Sequence, residues 1–570
     1  LLFLCLYERK RCAKIILKYP VRRNKSMKSF KKVLAVFLCV AMTVPGLCIG
    51  VYASDTCDCG NTPIVYMYGK QTIYLTREDG SKVNPLARDD LDIGGMVKEV
   101  VPDIAKSMAT GNWDEYCEKV YNMLAPIWKD VKVDGNGYPI NPNTGIAYSW
   151  SPETVSSRHS YGFDGGFLYL FDWRLSPMDV ADDMHDFIET VKKKTGHDKV
   201  VLVSRCMATS YEMAYLYKYE RPRNYSGIEK VVLFNPSTGG LNWLESAFSG
   251  KVVIDPDSAY RYIQGSVFED KVNDDALVEV LKLVFNSLKE TYGLNLACKL
   301  LQNKIYPAVK DKLFARLVKE FYGTAGGVLA MIRENFDECI DYIYPTDADK
   351  AEYAGLIEKA KYYHDNVTMH VADILKEIDA LGKPVAIYGE YGGPQRPVSA
   401  DAAYCGDYSI ALDDQTLGAT VSKVDGRLSD KYLAAAAAEG RDKYISPDRQ
   451  VDASTCLFPD TTWFIKNANH EFPAVIDYLM LSFIRGKAPD VWSNEAYPQY
   501  LNFNPDAPLS GQLEPAQEVN ANDIDWAAYE TGDATITIIL ETINTIIKTV
   551  NYLIKTIKEI VAVAKGTAVA

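Results

Sequence analysis

Short apolar runs alternate with helical periodicity between residues 63 and 242. Pro63-Ile64-Val65-Tyr66-Met67-Tyr68-Gly69 is an apolar run closed by a glycine turn, the pattern of a strand buried in a parallel sheet. Phe167–Phe171, Lys199–Val203 and Val231–Phe234 read the same way. Between the second and third runs, Val180, Met184, Phe187, Ile188 and Val191 recur at helical spacing. Pro177 and Asp179 open that helix, and Gly196 closes it. A second helix through Tyr211 to Tyr217 separates the third run from the fourth. Strands alternating with helices predict a parallel α/β sheet.

The pattern changes at about Trp243. From there to Leu381 helical periodicity dominates, with helices expected over Ala276–Tyr292, Ala308–Tyr322, Gly327–Phe336, Lys350–His364 and Met369–Leu381. Residues 243–382 thus read as a helical cap inserted between a first core segment, 54–242, and a second, 383–490. The sheet resumes at Pro384–Gly389 and again at Thr462–Ile465, and a helix follows Phe472. Residues 491–530 are rich in Pro, Asn and Asp and read as a wrap or linker. In 531–570, Ile536, Ile539, Ile543, Ile546, Val550, Leu553, Ile557 and Ile560 step alternately by three and four, an amphipathic helix with a heptad seam. Packing on its own domain, self-association and lying on a membrane surface are all open to it. Its β-branched content predicts modest helicity in isolation.

Composition and charge narrow the setting. Met27 begins a segment with Lys28, Lys31 and Lys32, an apolar stretch from Val33 to Val44, and the small-x-small site Val51-Tyr52-Ala53. That is a secretory signal peptide over 27–53, so a secreted or surface-held protein is expected, membrane-anchored if the segment is retained. Residues 1–26, which precede that methionine, read as an upstream extension of the reading frame. The rest of the chain, 54–570, carries 51 Lys/Arg against 74 Asp/Glu. Such an acidic surface argues against a nucleic-acid partner. Eight cysteines lie beyond residue 53, and pairing is open to them without being compelled. Cys57-Asp58-Cys59 would make half of a metal site, but no other Cys/His pair has ligand spacing, so a disulfide or plain surface thiols are expected there. No metal and no organic cofactor is expected.

The strongest chemical signal is Val200-Val201-Leu202-Val203-Ser204-Arg205-Cys206-Met207-Ala208-Thr209. It has the strand–turn–helix layout of a nucleophile elbow, G-x-S-x-G. Ser204 and Ala208 replace the two glycines and are small enough to meet the same steric demand; Cys206 stands for the serine. Ser204 and Ser210 are weaker nucleophile candidates, better read as structural.

With Phe171-Asp172-Trp173-Arg174-Leu175-Ser176-Pro177, the helix and this elbow in order, the chain resembles lecithin:cholesterol acyltransferase-like lipases of the α/β-hydrolase fold. The resemblance spans roughly 60–75, 165–240 and 383–480 and does not extend to the cap or tail. It implies an esterase, lipase or acyltransferase acting on a small-molecule or lipid acyl ester. The family's G-D-G-T-V-P-like acid segment aligns with Leu412-Asp413-Asp414-Gln415-Thr416-Leu417, giving Asp414 as the acid and Asp413 as runner-up. The family's late histidine falls on His470, in the order nucleophile, acid, histidine. The oxyanion donors expected are the backbone N–H groups of Met207 and, from the turn after the first strand, Lys70; Tyr68 stands where the family has the histidine of its H-G motif. A Cys-Asp-His triad is workable, because a thiolate is a strong nucleophile that a neighbouring histidine activates. The alternative is a degenerate scaffold that binds a ligand or a surface partner.

Overall fold

The computed structural model describes residue 57 and residues 59–86, 100, 103–104, 106–157, 167–268, 293–424, 426–470, 473–508 and 512–517. The signal segment, the helix expected over 276–292 and the amphipathic tail lie outside the described residues.

Eight strands form the main sheet: β1 (Ile64–Met67), β2 (Phe167–Leu168), β3 (Val200–Arg205), β4 (Ile228–Phe234), β5 (Val385–Tyr391), β6 (Thr462–Lys466), β7 (Tyr500–Phe503) and β8 (Leu513–Pro515). Their order across the sheet is β8-β7-β6-β5-β4-β3-β1-β2. All neighbours run parallel except β7 and β8. The protein is therefore α/β with a mostly parallel sheet, as the alternation predicted.

Every residue of β1, β3 and β5 is buried, which is why these strands read as unbroken apolar runs. The pleat divides them. Val200 and Leu202 join the large core on one face, and Val201 and Val203 join a second core on the other. Helix α1 (Pro177–Thr195) covers the first face with the predicted stripe of Val180, Met184, Phe187, Ile188 and Val191. Its ends follow capping chemistry. Ser176 accepts from the Met178 N–H, Pro177 sits in the first turn, and Gly196 takes the left-handed conformation after three lysines. Helix α2 (Ala208–Tyr215) follows β3 on the same face. Helix α3 (Ala474–Ile484) covers the second face through Ile476, Leu479, Met480 and Phe483.

Between β4 and β5 the described residues are helical, with no strand. Two expected helices are broken. The first is a short turn, Gly326–Leu329, with a separate helix beginning at Phe336; the second is interrupted at Tyr353. Leu329, Ile332, Leu356, Ile374 and Ile378 share the same buried cluster as Val200 and Leu202. Much of this helical segment is thus core to the sheet. It is fastened to the Asp172-Trp173-Arg174 stretch, where the Gly326 and Gly327 N–H groups donate to the Arg174 and Trp173 carbonyls at 2.8 and 3.2 Å. A Cβ on Gly327 would stand 2.6 Å from the Trp173 carbonyl oxygen, so only glycine allows this approach. Arg174, fully buried, is neutralised by Asp172 at 2.6 Å and donates to Thr144 Oγ1 at 2.9 Å.

The chain leaves β1 towards one side of the sheet, to β2, and leaves β3 towards the other, to β4. The carboxyl ends of β1 and β3 therefore flank the point where connections diverge, the place where open α/β sheets form a crevice.

Candidate active site

Cys206 sits at that point, between β3 and α2, with φ of +51°. A non-glycine residue held in the left-handed region is strained, and such strain gathers at functional sites. Its surroundings impose the conformation. The Cys206 N–H donates to the Phe234 carbonyl at 3.0 Å. Its own carbonyl accepts from the Thr209 N–H at 3.0 Å, the Thr209 hydroxyl at 2.7 Å and the Ser237 hydroxyl at 3.2 Å. Ser204 and Ala208 are fully buried on either side, where larger residues would not fit the close strand–helix packing.

The turn after β1 comes against the nucleophile candidate. A Cβ on Gly69 would stand 3.2 Å from Cys206 Cβ and 3.7 Å from its Sγ. Lys70 follows, its ammonium 4.5 Å above the Trp173 ring and 3.2 Å from the Tyr322 hydroxyl. Met207 opens α2, where helix geometry leaves N–H groups without intrahelical acceptors. Met207 thus follows Cys206 in the chain, and Lys70 follows the glycine that packs on it.

His470 arrives from the loop after β6. Asn467, Asn469 and His470 all have positive φ, of 67°, 56° and 60°. Asn and His are among the side chains that tolerate this region best, so Asn467-Ala468-Asn469-His470 suits a tight reversal. The Asn467 N–H donates to the Tyr391 carbonyl at 2.7 Å and docks the loop on the end of β5. His470 is buried, and Cys206 is among the groups that act on its imidazole. Its Nδ1 lies 2.7 Å from Asp407 Oδ2. Burial opposes its protonation, yet the charge and hydrogen bond of Asp407, with the influence of Cys206, outweigh that. The imidazole is held well above its ordinary range.

The carboxylate behind His470 is therefore Asp407, not Asp414. Asp407 is fully buried and well supplied with donors. Its Oδ1 accepts from the Ser409 and Ile410 N–H groups at 2.9 and 2.6 Å, and its Oδ2 from Asn235 Nδ2 at 2.8 Å. Asp414 is placed elsewhere. Its Oδ2 is buried without a hydrogen-bond partner, and its carbonyl packs on Gly239. Burial and the neighbouring Asp413, Asp401 and Glu245 raise its carboxyl well above the carboxylate range, which favours a neutral acid. Asp413 is raised by burial as well. The segment that aligned by pattern contributes Gln415 instead. Gln415 Oε1 accepts from the Glu390 N–H at 2.7 Å, and its Nε2 donates to the Glu390 and Ile410 carbonyls at 3.0 Å. One signal for Asp407 was present in the sequence: Gly406-Asp407 keeps the Gly-Asp pair of the acid motif, which Leu412-Asp413-Asp414 lacks.

Sequence reasoning also missed Asn235 and Glu390. Asn235 Nδ2 donates to Glu390 Oε2 at 2.7 Å and to Asp407, and lies 3.4 Å from His470 Nδ1. Ligand atoms of Glu390, Asp407 and His470 fall within 4.8 Å of one another. The Asn235 amide between the two carboxylates and the His470–Asp407 bond make this a hydrogen-bond network rather than a cation cage.

Among the described residues, then, His470 and Asp407 are hydrogen-bonded at the carboxyl edge of the sheet, and Cys206 acts on the same imidazole. No protein-family model matches the chain, and no curated protein matches it. The functional reading rests on the residues themselves.

Proposed function

We propose that the chain is an α/β-hydrolase-fold enzyme that transfers acyl groups through Cys206, with His470 as general base and acid and Asp407 orienting the imidazole. One observation carries the reading: Cys206, in a left-handed turn at the divergence of β1 and β3, acts on the imidazole of a buried histidine whose Nδ1 is 2.7 Å from a buried carboxylate. The strand order, with the nucleophile strand central and the helical segment entering after β4, supports the hydrolase fold and its cap.

In the reaction, the proton of Cys206 already rests on the His470 imidazole, and the thiolate Sγ bonds to the carbonyl carbon of an ester. The oxyanion is received by the Met207 and Lys70 N–H groups. His470 returns the proton to the departing alkoxide as the carbon–oxygen bond breaks, leaving a thioester and a free alcohol. Water, or an acceptor alcohol, then gives its proton to His470 and attacks the thioester. Collapse of the second oxyanion expels the thiolate and restores it beside the protonated His470. The substrate class is an acyl ester, a lipid or a smaller molecule. The signal segment favours action outside the cell, and no helix of the described residues is long and apolar enough to cross a membrane.

The test is turnover of p-nitrophenyl esters of graded chain length, with mass spectrometry of the trapped thioester. Turnover lost in Cys206→Ala, and an acyl adduct on Cys206 that accumulates in His470→Ala, support the reading. Absence of both turnover and adduct in the wild-type protein would overturn it in favour of a binding scaffold.

A further inference from the structure

A second cysteine–histidine cluster lies at the opposite, amino-terminal end of β1 and β3. The Cys57 N–H donates to the Gly196 carbonyl at 2.8 Å, which pins the start of the described chain to the end of α1. His197 follows Gly196 directly, and the left-handed turn there sends it back towards the Cys57–Cys59 segment. Cys59 Sγ is 3.6 Å from His197 Nε2. Ligand atoms of Cys57, Cys59 and His197 all fall within 4.8 Å of one another.

We infer that Cys57, Cys59 and His197 form a structural site for Zn²⁺. The donor set is two soft thiolates and an imidazole, which suits zinc better than hard oxygen-seeking cations. The spacing fits. A tetrahedral ion with Zn–S of about 2.3 Å and Zn–N of about 2.0–2.1 Å sets sulfur and nitrogen about 3.5 Å apart. A backbone donor is also in place. The Asn61 N–H points at Cys59 Sγ from 3.4 Å, and the Asn61 carbonyl lies 3.6 Å from the same sulfur. Cys57-Asp58-Cys59 had no partner at ligand spacing in the sequence. The fold supplies one, 138 residues away from Cys59.

The consequence for the fold is specific. Cys59 leads through Thr62 and Pro63 into β1, and His197 leads into β3. The Val201 N–H already bonds the Pro63 carbonyl at 2.9 Å. A metal there clips the two strands together at the end away from Cys206. Its role is to fix the register of the strands that carry Gly69 and Cys206 at their far ends.

The experiment is metal analysis of the full chain, purified under reductant, loaded with Zn²⁺ and dialysed. The expected result is one equivalent of zinc per chain, lost in Cys59→Ser and in His197→Ala. Replacing zinc by Co²⁺ should give a thiolate-to-cobalt charge-transfer band that both substitutions remove. Circular dichroism on each variant separates loss of the ligand from loss of the fold. If the reduced, folded wild-type chain retains no zinc, the site does not exist. If a folded Cys57→Ser/Cys59→Ser/His197→Ala chain keeps its full equivalent, the ion belongs elsewhere, and the assignment is overturned.

Discussion

The two ends of β1 and β3 each hold a cysteine and a histidine brought together from distant parts of the chain, and they differ in what stands third. At the carboxyl end it is Asp407, buried and fed by backbone donors. At the amino end it is a second cysteine, in a partly exposed corner. The residues in contact are nearly the same; the third group sets the chemistry. A carboxylate behind an imidazole fixes its tautomer and holds a proton on it, which makes a relay. A second sulfur beside an imidazole sets three soft donors round one point, which suits the proposed metal cage. The ends also differ in strain. Cys206, Asn235, Asn467, Asn469 and His470 all have positive φ around the relay, whereas the amino end turns on Gly196, which tolerates it.

The relay end breaks most sharply at its carboxylate. Asp407→Asn should lower ester turnover by about 10²–10⁴-fold, because the amide leaves His470 in the wrong tautomer and without its counter-charge. Asp414→Asn should change turnover by less than about 3-fold, because a neutral buried acid loses little on becoming an amide. Reversed magnitudes would return the role to Asp414. The same substitution has a signature in stability. His470 is raised in the native state, so its stabilisation is complete below an unfolded value of about 6.5 and is lost as pH rises through the higher native value. Urea unfolding from pH 5 to 9 should show that decline on the alkaline side of 6.5. Asp407→Asn should draw it back towards 6.5.

That contrast also marks how far the sequence was legible. β1, β3 and β5 announced themselves because both of their faces are buried, and α1 because its caps and stripe agree. Cys206 and His470 were legible because each lies beside a strong strand. Asp407 was not, because it sits in an irregular loop among short bridges, where its role depends on Asn235 and two backbone N–H groups rather than on any period. Asp414 drew the assignment because a pair of acids near a Thr resembles a motif, and burial, which neutralises it, leaves no local mark. His197 was invisible as a ligand for a related reason: only the pairing of β1 with β3 brings it to Cys59.

A second break in the comparison lies behind Cys206. Glu212, on α2, is fully buried, and both of its carboxylate oxygens lack hydrogen-bond partners. Burial pushes its carboxyl up to about 8. This acid is raised, so the usual sign inverts: the native state binds the proton more tightly than the unfolded chain. Stability is highest below about 4.5, falls as pH rises from there to about 8, and is level above. Glu212→Gln should remove that slope and add up to about 3 kcal/mol at pH 7. Calorimetry at pH 5 and pH 7.5 checks it. An unchanged slope would mean that Glu212 is not the group responsible.

The smallest effect belongs to the amino end, and it is the one that separates the two ends. If the cage is structural, removing its metal acts on folding and leaves the relay intact. A bound ion stabilises by about 2.7 kcal/mol when present at 100 times its Kd. A chelator should therefore lower the melting temperature by about 3 °C, since a folded unit of this size has an unfolding entropy of about 1 kcal/mol/K. It should change the rate of Cys206 alkylation by iodoacetamide less than about 2-fold at 25 °C, because β1 and β3 remain paired from Ile64↔Val201 to Met67↔Ser204. Cys59→Ser should melt at the chelated temperature and no longer respond to chelator. A parallel loss of Cys206 reactivity would show that the register held at one end governs the geometry at the other, so that the two clusters act as one mechanical unit. A shift in melting without a change in reactivity keeps them separate, joined only by the strands on which both are built.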